Sequence, residues 1–471
     1  MTFIGREQEL GELAGVLEQV AASGRGALVA LGGPRRSGTT TLAEEFAKRA
    51  KVPALHIEAR DARDHRQELE RFAAFTASSE LPQAGALRRA PAPESWQQAF
   101  EGLAPPAGAG PVIATLDEFP RLAAADKSVL QGLRSAWDET LSTSPVVLVL
   151  AGSDPAIMAA LDAPKGPLTG RLDATITVGP LTPAEVAGQL ELAAPEALDA
   201  HLITGGLPQL VACWKPGQTR KAFLAAQLAD AQSPLVVAGE RAMTADAPPQ
   251  ASARAVLQAI GSGETTFNRI SEQAALGASR LSSVLRDLEQ LELIEVRIPF
   301  GGDSGSKAKR YQVVSSYARF WMAFVEPSIG LLERGGGKLV QSRIDDAWEL
   351  YREAAIEPVV RAGLARLLPD ERFGAAEHVG GWWTRDGRAN VDLVGWSGEG
   401  KDAEPAFAGA IAWGDRGPFG KSDLQDLAAR RDLVPGGGPQ LPLVVVSREG
   451  FRAGAEVDVA LGPEELVAAF S

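Results

Sequence analysis

Cysteine is nearly absent from this chain: Cys213 stands alone among 471 residues. A single cysteine excludes an internal disulfide and a cysteine-based metal site. Histidine is almost as scarce. His56, His65, His201 and His378 are scattered, so their spacing offers no histidine metal centre. No apolar run approaches the ~20 residues that a membrane helix needs. The first ten residues carry Arg6, Glu7 and Glu9, which a secretory signal would not. Positive charge is in deficit, with 47 Lys and Arg against 60 Asp and Glu and a formal net charge of −13. Bulk charge therefore excludes a nucleic-acid coat protein, although a local basic patch remains open. Internal repeats of roughly 20–50 residues are missing too. Together these absences predict a cytoplasmic protein without a membrane partner.

What is present is an ordinary apolar fraction of 45%, enough for sizeable cores in about two to four domains. Strand candidates fall at Leu28–Leu31, Ala54–Ile57, Val112–Leu116, Val146–Leu150 and Thr175–Val178. Helical patterns separate them, at Thr41–Arg49, Trp96–Leu103 and Lys127–Leu141. Strands alternating with helices predict an α/β fold with a parallel sheet. Pro/Ala/Gly-rich stretches at Leu81–Pro93 and Pro105–Gly110 read as surface loops.

One stretch organises the rest. Leu28-Val29-Ala30-Leu31 runs into Gly32-Gly33-Pro34-Arg35-Arg36-Ser37-Gly38-Thr39-Thr40-Thr41. Gly33, four residues, Gly38 and then Thr40 fit the phosphate loop G-x-x-x-x-G-K-[ST] at every fixed position but the lysine, where Thr39 stands. The glycines let successive N–H groups turn inward. The following helix aims its positive end at an anion. Thr40 offers a hydroxyl to Mg²⁺. The absent lysine forfeits a charge-assisted hydrogen bond of about 1.5–3 kcal/mol and a transition-state donor whose loss costs ~10²–10³ in rate. Arg35 and Arg36 offer charge from another direction. The candidate phosphate-binding set is Gly33, Arg35, Arg36, Ser37, Gly38, Thr39, Thr40 and Thr41. The bland alternative is a glycine-rich strand-to-helix turn without a ligand.

Val112–Leu116 ends in Asp117-Glu118. Behind a phosphate loop, the first acid holds Mg²⁺ and the second orients the attacking water. Alone, two acids at a strand end read as a solvated terminus. Val146–Leu150 leads to Gly152-Ser153, a small polar residue at the ligand-binding edge of such a sheet. Arg171, after Gly170, reads either as a phosphate-reaching arginine or as an ordinary salt-bridge partner.

Thr182-Pro183 reads as a helix N-cap followed by a first-turn proline. Gly205-Gly206-Leu207-Pro208 breaks the helical pattern that follows, either as a simple turn or as a close backbone approach to a ligand. Three apolar faces come next: Val256, Leu257 and Ile260; Phe267 and Ile270; Leu281, Val284, Leu285, Leu288 and Leu291. Ile294–Ile298, Gly301–Gly305 and Tyr311–Val314 read as a two-stranded wing, which completes a winged helix-turn-helix. Ser279, Arg280, Ser282, Ser283 and Arg286, with Lys307, Lys309 and Arg310 on the wing, offer phosphate contact to DNA but no cluster for base readout. A packing module is the equal alternative. From about Asp345 the chain alternates again, as a small α/β domain with strands at Phe407–Trp413 and Leu441–Val446.

This ordered set resembles the archaeal-type ATPases of the STAND branch of AAA+ proteins. Phe3-Ile4-Gly5-Arg6-Glu7-Gln8-Glu9 matches their h-h-G-R-E-x-E segment. The loop matches G-x-R-R-x-G-K-T except at Thr39. Asp117-Glu118, Gly152-Ser153, Gly170-Arg171 and Gly205-Gly206-Leu207-Pro208 match later motifs in order. The resemblance implies a P-loop core over 1–180, a helical lid over 181–250 and a winged helix over 251–325. It implies a PD-(D/E)XK nuclease-like domain over 326–471. It further implies ATP or ADP with Mg²⁺. Ile4, Gly5, Arg6 and Pro208 would flank the adenine, and backbone N–H groups from Arg35 to Thr40 would hold the phosphates. Thr40 and Asp117 would sit on the metal, with Glu118 orienting water. In the last domain Glu357 and Asp392 match the first two nuclease acids. The strand that should read G-E-x-K-W reads Gly409-Ala410-Ile411-Ala412-Trp413. Without the glutamate and lysine there, no cleavage is predicted.

Three functional readings follow: a nucleotide-binding switch with weak or absent hydrolysis, a working ATPase with an atypical loop, and a nucleotide-free scaffold or DNA-binding regulator with an unknown protein partner. Thr40, Asp117, Glu118 and the adenine-side motifs speak against the third. Loss of the residues expected at Thr39, Ala410 and Ala412 speaks against the second.

Overall fold

The computed structural model describes residues 3–60, 65–164, 166–246, 250–303 and 305–471. The chain divides into two compact units, Met1–Pro180 and Leu181–Ser471. In the first, α1 (Glu7–Ser23), β1 (Ala27–Gly32), α2 (Thr39–Ala50), β2 (Ala54–Glu58) and α3 (His65–Ser78) lead into two short helices, α4 (Ala84–Leu87) and α5 (Trp96–Glu101). Then come β3 (Val112–Asp117), α6 (Phe119–Ala125), α7 (Lys127–Glu139), β4 (Val146–Gly152), α8 (Pro155–Asp162) and β5 (Ala174–Thr177). The strands form one parallel sheet in the order β2-β3-β4-β1-β5.

The continuous apolar runs have a physical cause in that sheet. Helices cover both faces, so every residue of β3 and β4 is buried. Side chains alternate between the faces. Leu28 and Ala30 join Phe72, Trp96 and Phe100 on one side. Val29 and Leu31 join Leu13 of α1 with Leu42 and Phe46 of α2 on the other. The stretch Leu81–Pro93 departs from a plain surface loop. It holds α4, and Leu81 and Ala84 are core residues at 3% and 2% exposure.

The second unit opens with α9 (Pro183–Leu190), α10 (Ala194–Thr204), α11 (Pro208–Val211), α12 (Arg220–Leu228) and α13 (Pro234–Asp246). Thr182 caps α9 as read: its Oγ1 accepts from the Glu185 amide at 3.2 Å, and Glu185 returns the bond at 2.7 Å. The break at Gly205-Gly206 is a close approach to the chain's own backbone. A Cβ on Gly206 would lie 2.0 Å from the Leu181 carbonyl oxygen, and the Leu181 amide donates to the Gly206 carbonyl at 2.8 Å.

Three helices follow, α14 (Ala251–Gly261), α15 (Phe267–Gln273) and α16 (Ala278–Gln290), then an antiparallel hairpin of β6 (Ile294–Arg297) and β7 (Arg310–Val313). Most of the expected apolar faces are buried. Leu291 is not: it is the C-cap of α16 and 51% exposed. α17 (Ser316–Phe320) runs through a π turn into α18 (Ile329–Leu332), and the long α19 (Gly337–Ala355) abuts α20 (Glu357–Leu367). The chain then forms a separate α/β domain from β8 (His378–Trp383), β9 (Asn390–Ser397), β10 (Glu404–Ala412), α21 (Lys421–Arg431), β11 (Leu443–Ser447), β12 (Val459–Leu461) and α22 (Pro463–Ala468). Its sheet order is β12-β11-β10-β9-β8, antiparallel from β8 to β10 and parallel from β10 to β12. No helix among the described residues is long and apolar enough to cross a membrane.

Candidate functional site

The site grows from the end of β1. Gly33 leaves the strand through a gap that admits no side chain: a Cβ there would meet the Val178 carbonyl oxygen at 2.2 Å. Arg36 and Gly38 take left-handed backbone angles, with φ of 69° and 95°, which curl the loop back onto α2. Gly38 caps that helix with no side-chain hydrogen bond, and its first turn holds no acid. The initial N–H groups of α2 therefore point outward without an intrahelical acceptor, where the helix dipole favours an anion.

Arg6 holds this loop in shape. Its Nη2 donates to the Ser37 carbonyl at 3.0 Å and also to the Gly179 carbonyl, while Nη1 reaches Glu9 at 3.0 Å. The side chain is 6% exposed. The resemblance implied an adenine-side role for Arg6; the geometry adds a tie to the loop backbone, joining residues 31 and 173 positions apart. Ile4 is buried beside it, and Gly5 has φ 62°.

Thr39 does not stand out of the loop as a lysine would. It is 8% exposed, with its Oγ1 3.2 Å from the buried Ser37 Oγ. Thr40 and Thr41 face solvent, as do Arg35 and, in part, Arg36.

Strand β4 lies between β1 and β3, so Asp117 ends a strand two spacings from the loop, roughly 10 Å across the sheet. The Thr40 hydroxyl approaches the Asp117 carboxylate across that gap and helps to lower its pKa. Burial raises the carboxyl pKa of Asp117. Bonds from His56, Thr40 and the Glu118 amide outweigh it and hold the group below its usual value. His56, on the neighbouring β2, brings Nε2 to 3.5 Å from Asp117 Oδ2. That hydrogen bond raises the imidazole pKa against the effect of burial. Sequence reasoning missed His56; the available signal was its place one residue before the end of an apolar strand.

Glu118 takes a left-handed conformation at φ 51° and caps α6. Its carboxylate meets Arg121 at 3.3 Å and the Ser153 hydroxyl at 3.5 Å, which brings the ends of β3 and β4 together. The chemistry of the donor set suits Mg²⁺: one carboxylate and one hydroxyl, both oxygen, beside an anion cradle. No group of three or more His, Cys, Asp or Glu side chains fit to hold a metal occurs among the described residues.

Arg171 lies elsewhere. It pairs with Asp138 through bonds of 2.8 and 2.7 Å and borders a groove with Gly26 and Ser142. That is the end of the sheet where β1 begins, whereas the loop follows where β1 ends. The phosphate-reaching reading of Arg171 is thus corrected to the salt-bridge one. Pro208, at the first turn of α11, belongs to the second unit.

In the C-terminal domain Glu357 is bound by the hairpin. Arg297 forks onto both its oxygens, with Nη1 to Oε2 at 3.0 Å. Asp392 accepts from the Ile411 amide and the Asn390 side chain, each at 3.1 Å. Arg310, read as a candidate for DNA, instead lies 4.3 Å over the Trp383 ring. Ala410 and Ala412 sit on β10 and bring no polar side chain.

The parallel sheet, the glycine loop and the acidic strand end define a P-loop α/β fold with a separate C-terminal α/β domain. Residues 321–415 match a family described as archaea bacterial proteins of unknown function. An uncharacterized protein of Methanocaldococcus jannaschii is 24% identical over 400 residues, covering 83% of this chain and 84% of that one. Among solved structures, similarity extends to a Walker-type ATPase of Pyrococcus abyssi, at 18% identity and TM-score 0.43 over 68% of this chain and 96% of that one. It also extends to the ORC2 protein of Aeropyrum pernix, at 14% identity and TM-score 0.43 over 72% and 95%.

Proposed function

We propose that the first unit is a nucleotide switch: it binds ATP or ADP with Mg²⁺ and hydrolyses weakly or not at all. The observation that carries this reading is the uncapped start of α2, with the Thr40 hydroxyl and the Asp117 carboxylate next to it. Backbone N–H groups from Arg35 to Thr40 would take the phosphates. Thr40 and Asp117 would hold Mg²⁺, which supplies charge neutralisation to the phosphates. Glu118 is the candidate to orient water. Thr39 removes the lysine charge and turns its own hydroxyl to Ser37, which supports binding in preference to turnover.

The C-terminal domain, in this reading, cleaves no nucleic acid. Alanines at 410 and 412 leave Glu357 and Asp392 without a glutamate and lysine beside them, and Arg297 neutralises Glu357. Any DNA contact by the second unit would fall to the exposed side of α16, at Ser279, Ser282 and Arg286.

Equilibrium binding of ATP and ADP with Mg²⁺, beside the Thr39→Lys variant and with turnover read on the same samples, tests the proposal. The expected result is binding without turnover in the unaltered protein. The variant should bind about ten- to a hundredfold tighter, the equivalent of about 1.5–3 kcal/mol, and should turn over. Turnover in the unaltered chain would move the reading to an ATPase and point to Arg35 and Arg36. No binding in either protein would leave a scaffold.

A further inference from the structure

His56 has no part in the nucleotide reading, yet the sheet delivers it to the acidic strand end. β2 is the strand beside β3, and their register sets His56 next to Thr115 and Glu58 next to Asp117. Ala54 of β2 and Ile113 of β3 join the apolar cluster of Leu42 and Phe46 from α2. Side chains alternate, so His56 follows Ala54 onto that face and Asp117 follows Ile113. The imidazole and the carboxylate therefore lie together under the helix that begins at the phosphate loop.

Asp117 is 4% exposed, and each of its oxygens has a neighbour of its own. Oδ1 accepts from the Glu118 amide at 2.9 Å. Oδ2 lies 3.5 Å from His56 Nε2. The other ring nitrogen, Nδ1, is shut off from solvent and has no partner among the described residues. A proton on Nδ1 would be a buried donor without an acceptor, so the neutral ring carries its proton on Nε2, facing the carboxylate. Asp117, Glu44 and Glu58 all act on the ring. Such an acidic surrounding suits no phosphate, so the imidazole serves the carboxylate and not the nucleotide. Donors that fix the plane of a ligating carboxylate also fix where its free lone pairs point, and losing such a partner costs ~10–100-fold in metal affinity.

We propose that His56 is a positioning residue for the metal: it holds the Asp117 carboxylate in the orientation from which, with Thr40, it takes Mg²⁺. His56 itself touches neither nucleotide nor metal. The inference rests on the nucleotide reading above and adds to it the side chain that sets the affinity for Mg²⁺. Phosphate binding by the loop N–H groups does not depend on it.

Isothermal titration calorimetry of ATP into the full chain, over a series of Mg²⁺ concentrations and again in EDTA, tests it on the unaltered protein, His56→Ala and His56→Gln. His56→Ala should weaken Mg²⁺ binding to the ATP-bound protein by about ten- to a hundredfold and leave ATP affinity in EDTA unchanged. His56→Gln keeps an N–H donor at about the reach of Nε2, so it should restore most of the Mg²⁺ affinity. Mg²⁺ affinity unchanged in His56→Ala would overturn the inference alone and leave the nucleotide reading standing. Equal losses with Mg²⁺ and in EDTA would overturn it too, by showing that His56 merely supports the sheet. So would a loss that His56→Gln does not recover, because the donor would then not be what matters. No ATP binding by the unaltered chain in either condition would overturn the nucleotide reading and this inference with it.

Discussion

Arg6 shows how one side chain can set the shape of a loop it does not belong to. Replacing it with alanine strands the Ser37 and Gly179 carbonyls and the Glu9 carboxylate. Charge-assisted bonds contribute about 1.5–3 kcal/mol each and are not additive, so Arg6→Ala should destabilise the first unit by about 2–4 kcal/mol in urea unfolding. Arg6→Lys should recover less than half, because one ammonium cannot serve three oxygens spread in a plane. His201 sets a pH dependence. Its folded pKa is about 4, because burial and then the nearby Arg319 charge disfavour the cation, against ~6.5 in the unfolded chain. Between those values the unfolded state binds more protons, so stability rises with pH. It is complete above pH ~6.5 and is lost as pH falls towards 4, by ~2–3 kcal/mol. His201→Asn should flatten the thermal-midpoint profile in that window. Neither residue's role was legible in the sequence. Arg6 was readable as part of a motif, but its acceptors lie far along the chain. His201 was one of four scattered histidines.

At the scale of elements, the hairpin is held to α20 by Arg297 and Glu357, with Arg297 and Arg310 over Trp383. Breaking one partner of a buried pair costs ~3–5 kcal/mol, whereas replacing both with apolar groups of similar size is close to neutral. Arg297→Met alone should therefore destabilise the second unit strongly, and Arg297→Met with Glu357→Leu should regain most of the loss. A double-mutant cycle by denaturant unfolding checks this. The strands β1, β3 and β4 were legible because burial on both faces writes an unbroken apolar run. The helix α4 was hidden by the Pro/Ala/Gly composition around it; only packing of Leu81 and Ala84 distinguishes it from a loop. Glu357 was readable as an acid at a helix start. The hairpin arginine on it was not, because that pairing spans 60 residues.

For the molecule as a whole, the decisive feature is that, among the described residues, the two apolar clusters of the first unit draw only on residues up to Val178. A core complete within one segment predicts that segment's autonomy. Residues 1–180 expressed alone should fold with cooperative thermal unfolding and the circular dichroism of a mixed α/β protein. A molten or aggregated product would show that the core needs the remainder of the chain.

The sequence by itself determined the local grammar: which runs become parallel strands, where Gly33 and Gly38 bend the chain, that Thr39 replaces a lysine, and that Asp117-Glu118 ends a strand. These follow from the steric and apolar demands of each segment on its own. The tertiary structure alone decided which ends face each other. Strand order sets Thr40 and His56 on Asp117 and sends Arg171 to the opposite end of the sheet. The packing of distant elements buries Arg319 and leaves its Nε and Nη1 without a hydrogen-bond partner among the described residues. Such pairings depend on the geometry of elements brought together from remote parts of the chain, which no local periodicity encodes.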